Sequence, residues 1–180
     1  MKIVKLSEIK IHRWSGGTTR ELLIYPEGSS FNNGNFEMRI SIATVEQDAT
    51  TFTPLKDTYR TLLVLEGTQA LDHQGAHSSK LKALEQDSFS GNWTTYCRGK
   101  STNFNVMTKS SKRAEINVKN YNKNEIWSNE NSNGIHFLYI LRGSARLIEQ
   151  EVLAKEGILI DEPCQITFLE PSELVIVTYP

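Results

Sequence analysis

The chain has 180 residues, with 20 Lys plus Arg against 21 Asp plus Glu for a net charge of −1, and it is 38% apolar, 9% aromatic and 23% charged. The length suits one large domain or two small fused ones, and the apolar share is enough to close a core, which excludes a globally disordered chain. Balanced charge argues against a nucleic-acid partner, because neutralising phosphates needs a basic face. No stretch approaches the ~20 apolar residues of a membrane span, and residues 1–8 hold no apolar run of signal-peptide length. A cytoplasmic protein with no membrane partner is expected. Cys97 and Cys164 form no CxxC pair and read as ordinary thiols of a reducing compartment.

In chain order, the first signal is Trp14-Ser15-Gly16-Gly17-Thr18-Thr19-Arg20-Glu21-Leu22, a Gly pair leading into a strand that carries Arg20 and Glu21. Residues 36–43 alternate with period 2: Phe36, Met38, Ile40 and Ile42 share one face, and Glu37, Arg39, Ser41 and Ala43 the other. Arg60 precedes the run Thr61-Leu62-Leu63-Val64-Leu65, which reads as a strand buried on both faces. Residues 104–108, 136–141, 145–148, 165–168 and 174–179 are further short strands, each flanked by Gly, Pro, Asp, Asn or Ser. Short helical pieces are expected only near residues 80–84 and 7–9. The class is all-β.

The run Leu62-Leu63-Val64-Leu65-Glu66-Gly67 is repeated as Leu138-Tyr139-Ile140-Leu141-Arg142-Gly143, with Gly143 lying 76 residues (143 − 67) after Gly67. The repeat suggests two stacked barrel or jelly-roll units. Residues 1–110 form the first, an Asn-rich loop or linker spans 111–134, and residues 135–180 form the second, completed by N-terminal or connector strands.

Metal chemistry finds little support in the spacing. A barrel of this kind often binds metal through His-x-His, since alternate strand residues face the same way. The chain has only His12, His73, His77 and His136, with no such pair. His73 and His77 flank a Gly-containing turn and read as solvated loop histidines, with Glu85 further along. No cofactor is expected. Gly-x-Ser-x-Gly and phosphate-cradling motifs are also missing.

Polar residues set into apolar strands carry the functional reading. An unpaired buried Arg is costly, so Arg20 or Arg39 should pair with Glu21 or Glu66, or hold an anion. The guanidinium fork fits a carboxylate bidentately. The candidate ligand-binding set is Trp14, Arg20, Glu21, Arg39, Arg60 and Asn105, with Trp14 and Asn105 as walls and a small anionic metabolite as partner. The alternative is a metal-free enzyme, an isomerase, epimerase or hydrolase, with Glu21 or Glu66 as general base. Exposed strand edges also make a homodimer an expectation.

Five segments in order, Trp14 to Glu21, Phe36-x-x-Arg39-Ile40-Ser41-Ile42-Ala43, Tyr59-Arg60-Thr61-Leu62, Leu65-Glu66-Gly67 and Asn103-Phe104-Asn105-Val106-Met107, resemble the HutD/Ves family over the whole chain. The resemblance implies a bicupin, two cupin-like barrels in one chain. It also implies a non-enzymatic accessory or regulatory protein of histidine utilisation, sensing a carboxylate such as formylglutamate or urocanate. Two positions depart from the family pattern. Ser15 precedes only two glycines, where the family has an Asn and often three, and Tyr59 stands before Arg60, where Asp is common.

Overall fold

The computed structural model describes residues 1–109, 111–129 and 134–180. They form two compact units: one of Ile9–Lys112, the other of Met1–Glu8 with Arg113–Pro180. We call these the first and second units. Eighteen strands and one 3-10 turn, Leu6–Glu8, make up the regular structure among the described residues. No helix there is long and apolar enough to cross a membrane. The expected helical piece at residues 7–9 is this turn. The one at residues 80–84 is instead strand as far as Lys82, because its residues pair in register with the chain opposite.

Strand β1 (Lys2–Lys5) belongs to the second unit. The first unit holds β2 (His12–Trp14), β3 (Gly17–Tyr25), β4 (Met38–Val45), β5 (Ala49–Phe52), β6 (Thr58–His73), β7 (Ser78–Lys82), β8 (Gln86–Ser90), β9 (Thr95–Arg98) and β10 (Ser101–Lys109). They run in the order β2-β3-β4-β10-β6-β9-β5, with β7 and β8 also paired to β6. The pivot is β6. Its first half pairs with β10 and β8, and its second half with β7 and β9. Between the halves the register skips Leu65, and Gly67 takes φ +84°. A Cβ on Gly67 would stand 2.3 Å from the Lys100 carbonyl oxygen, so the strand turns from one layer into the next where only glycine fits. Val45, Phe52, Leu62, Val64, Leu71, Leu81, Phe89 and Cys97 pack as this unit's core, with Trp14 against it. Each such large apolar side chain, fully buried, contributes about 1.5–3 kcal/mol.

The second unit adds β11 (Glu115–Tyr121), β12 (Ile126–Ser128), β13 (Ile135–Arg142), β14 (Ser144–Leu147), β15 (Gln150–Leu153), β16 (Glu156–Ile160), β17 (Gln165–Phe168) and β18 (Ser172–Tyr179). They form two sheets, β1-β16-β13-β18-β11 and β12-β17-β14-β15. The stretch read as an Asn-rich loop therefore holds two strands, β11 and β12. Ile116 and Val118 alternate along β11 and lock it onto β18, and this tertiary pairing overrides the turn preference of Asn117 and Asn120, whereas Asn122 keeps its place in the turn that follows. The part of the connector at 130–133 lies outside the described residues.

The sequence repeat has a structural counterpart. β6 and β13 both skip one residue before the glycine, Leu65 in one and Leu141 in the other. Gly143 has φ +85°, close to the +84° of Gly67. The repeat strand pairs with β10 and β8 in the first unit, and with β18 and β16 in the second.

Candidate functional site

The first unit contains a cavity of about 580 Å³, within the range of small-molecule sites. Strand alternation and register place its polar wall. Glu21 on β3 lies opposite Ser41 on β4, which lies opposite Asn105 on β10, which lies opposite Leu62 on β6. One step along, Met107 on β10 lies between Arg39 and Arg60, its partners on the two neighbouring strands. All seven side chains line the cavity, with Thr19, Ala43 and Asn103 continuing the same face. The other face of these strands carries Met38, Ile40, Phe104 and Val106, all buried.

Arg39 is held on every side. Its Nε donates to Glu21 Oε2 at 2.7 Å, and its Nη1 to Ser41 Oγ at 3.3 Å. The Phe31 ring covers the guanidinium at 4.3 Å. Glu21 reaches Arg39 because a residue and its diagonal neighbour two along the adjacent strand share a face. Arg60 is different. Nη1 makes one long bond, 3.4 Å to the Thr53 carbonyl, and the guanidinium lies 5.3 and 5.1 Å from the Phe52 and Phe89 rings. No carboxylate lies within ion-pair distance of Arg60 among the described residues. Burial, reinforced by the Arg39 charge, pushes its pKa down to about 10, so it remains cationic at neutral pH. Two polar atoms of lining residues, the Trp14 indole Nε1 and Asn103 Oδ1, are buried and lack hydrogen-bond partners.

Trp14, Glu21, Arg39, Arg60 and Asn105 thus lie around one cavity, and Arg39 takes the pairing with Glu21 that its strand context called for. Arg20 does not join them. It lies opposite Ile42, on the β3 face turned from Glu21, and is absent from the lining. Glu66 is exposed and also outside the lining, opposite Thr102 at the β6 bulge. Neither is positioned to act in the cavity, and Glu21 is engaged by Arg39. The cavity holds one histidine, His12, and one carboxylate, Glu21, which do not make a metal ligand set. Ser41 and Asn103 sit on the polar faces that alternation already marked. Phe31 comes from the β3–β4 loop, where no sequence pattern points into a pocket.

The reading of His73 and His77 as solvated loop histidines holds for His77, which is exposed and outside the strands, and needs correction for His73. His73 closes β6 and is 1% exposed, bonded through Nδ1 to Thr95 and through Nε2 to Asp87. Its partner is Asp87 on β8, not Glu85.

The fold is cupin-like: the cupin 2 conserved barrel domain protein from Leptotrichia buccalis superposes with a TM-score of 0.65 at 9% identity, covering 99% of this chain and 96% of that one. Residues 6–175 match the HutD family, and the chain belongs to that family. Two further solved structures share the fold. The conserved protein of unknown function PA5104 from Pseudomonas aeruginosa PAO1 has a TM-score of 0.83 at 21% identity, over 99% of this chain and 97% of that one. HutD from Pseudomonas fluorescens SBW25, in a formate condition, has a TM-score of 0.76 at 15% identity, over 99% and 98%. No curated protein matches the chain.

Proposed function

We propose that this protein is a non-enzymatic binding protein for a small carboxylate metabolite, acting as an accessory or regulatory component of histidine utilisation. The observation that carries the reading is Arg60, a cation on the cavity wall with no carboxylate partner, beside an Arg39 whose own charge Glu21 balances. A bound carboxylate would supply the missing countercharge and accept from the guanidinium fork. The buried, partnerless Trp14 N–H and Asn103 Oδ1 would become a second donor and an acceptor for a ligand N–H after a side-chain shift that opens them to the cavity. A formylated amino acid such as formylglutamate offers carboxylates and an amide N–H, and urocanate a carboxylate and a ring N–H. The shared strand plan of the two units supports reading them as two cupin-like barrels, with the ligand in the first.

Calorimetry with formylglutamate, urocanate and formate tests this. Formylglutamate or urocanate is expected to bind at one site per chain and more tightly than formate, with binding lost in Arg60→Met. No heat from either at about millimolar concentration places any binding weaker than about −4 kcal/mol and removes both candidates.

A further inference from the structure

Outside the cavity, the first unit gathers His73, His77 and Asp87 so that one ligand atom from each lies within 4.8 Å of the others. We propose that these three side chains form a binding site for a borderline divalent transition metal, with Zn2+ as its representative.

The geometry follows from the hairpin. His73 N donates to the His77 carbonyl at 2.9 Å, and Ala76 N to the His73 carbonyl at 2.9 Å, so the two histidines are paired across a three-residue turn. Paired residues of a hairpin project to the same side. Gly75 at the tip has φ +77° with open space around it, which lets the turn close. Asp87 on β8 meets both rings: His73 Nε2 lies 3.0 Å from Oδ2, and His77 Nε2 lies 3.0 and 3.1 Å from Oδ1 and Oδ2. Two donors of a tetrahedral zinc at bond lengths of about 2.1 Å stand about 3.4 Å apart, so each His–Asp pair needs to open by only a few tenths of an ångström, and the ligand nitrogens of the two histidines already lie within 4.8 Å of each other. The His77 side chain, 41% exposed, has room for that movement.

Two further contacts match what metal ligands require. The Thr95 hydroxyl lies 2.8 Å from His73 Nδ1 and can accept its proton, turning the Nε2 lone pair toward the ion. Ser79 Oγ donates to Asp87 Oδ2 at 2.6 Å and fixes the carboxylate. His73 is closed from solvent at 0% side-chain exposure and Asp87 is nearly so at 12%, whereas His77 opens to water. An ion would therefore enter past His77 and keep a fourth position for water. Two imidazoles and one carboxylate select zinc, nickel, cobalt or copper over magnesium or calcium, which prefer all-oxygen sites. The ligand set could not be read from spacing, because its third member sits ten residues beyond His77 on another strand.

The test uses the full chain freed of metal by chelation. Titration calorimetry with ZnCl2 is expected to give one ion per chain, and Co2+ to give the visible absorption of a four-coordinate site. Zn2+ should raise the melting temperature, since the site exists only in the folded chain. Mg2+ should do none of these. His77→Ala alters an exposed side chain and should fold normally while binding Zn2+ at least about tenfold more weakly; Asp87→Asn should do the same. Absence of stoichiometric Zn2+ binding overturns the proposal. So does Zn2+ binding that persists unchanged in both variants, which would place the ion elsewhere on the chain.

Discussion

Arg39 and Arg60 stand on either side of Met107, Arg39 buried and Arg60 half-buried, and only Arg39 has a carboxylate. Their substitution should therefore separate structure from ligand binding. Arg39→Met leaves Glu21 facing the cavity without its 2.7 Å partner. Breaking a wholly buried pair costs about 3–5 kcal/mol, and the 31% exposure of the Glu21 side chain reduces this to about 1–3 kcal/mol of lost stability. Arg60→Met keeps an unbranched apolar stem against Phe52 and Phe89 while removing an uncompensated charge. Its stability is expected to stay within about 1 kcal/mol of wild type or to rise. Urea unfolding monitored by fluorescence measures both. If Arg60→Met lost as much stability as Arg39→Met, Arg60 would be a structural residue and the argument for a bound anion would lose its support.

At the scale of the element, the bulge before Gly67 is what lets β6 serve two layers. Gly67 and Gly28 have nearly equal φ, +84° and +85°, but a Cβ on Gly28 meets nothing within 4 Å while one on Gly67 meets backbone at 2.3 Å. Gly28→Ala should cost about 1–2 kcal/mol, the left-handed penalty alone. Gly67→Ala should cost clearly more, because the Lys100 backbone must also move, and the difference is read from melting temperatures. Equal losses would mean that the close approach contributes nothing. This element was legible in the sequence as Leu-Leu-Val-Leu-Glu-Gly and its repeat, since a glycine ending an apolar run marks a turn or bulge. The bulge at Leu22 was not legible, because no glycine signals it. Nor could alternation alone say whether Arg20 or Glu21 faces the cavity: adjacent strand residues always oppose each other, and only the register with Ser41 and Ile42 decides. Arg39 was readable from its apolar neighbours, whereas β11 was hidden by its asparagines and recovered only through pairing with β18.

On the scale of the whole molecule, two units of one strand plan are used differently, and the paired registers show why. Asn105 in the first unit and Ile176 in the second lie opposite equivalent leucines, Leu62 and Leu138. Ile176 packs into the second unit's core with Leu174, Leu138 and Ile140. The polar wall of the first unit is thus replaced by aliphatic packing in the second. By the same registers the place of Arg60, opposite Met107, is taken by His136, opposite Thr178. His136 is 5% exposed, stands 5.4 Å from the Trp127 ring, and has its pKa lowered by burial. The sign of the consequence is fixed by linkage. The unfolded chain takes up this proton near pH 6.5 and the folded chain only at a lower pH, so the unfolded state binds more protons in between. Stability from this group is fully present above about pH 6.5 and is lost as pH falls from there through the lowered native value. The urea midpoint should therefore drop between about pH 7.5 and about pH 5.5, and drop less in His136→Gln, whose amide does not titrate. Comparing the pH slopes of the two proteins, rather than their absolute midpoints, isolates His136 from every other titrating group and from the packing cost of the substitution. Identical slopes would show that the histidine is protonated as readily in the folded chain as in the unfolded one, and that burial among Trp127 and Thr178 does not hold it neutral.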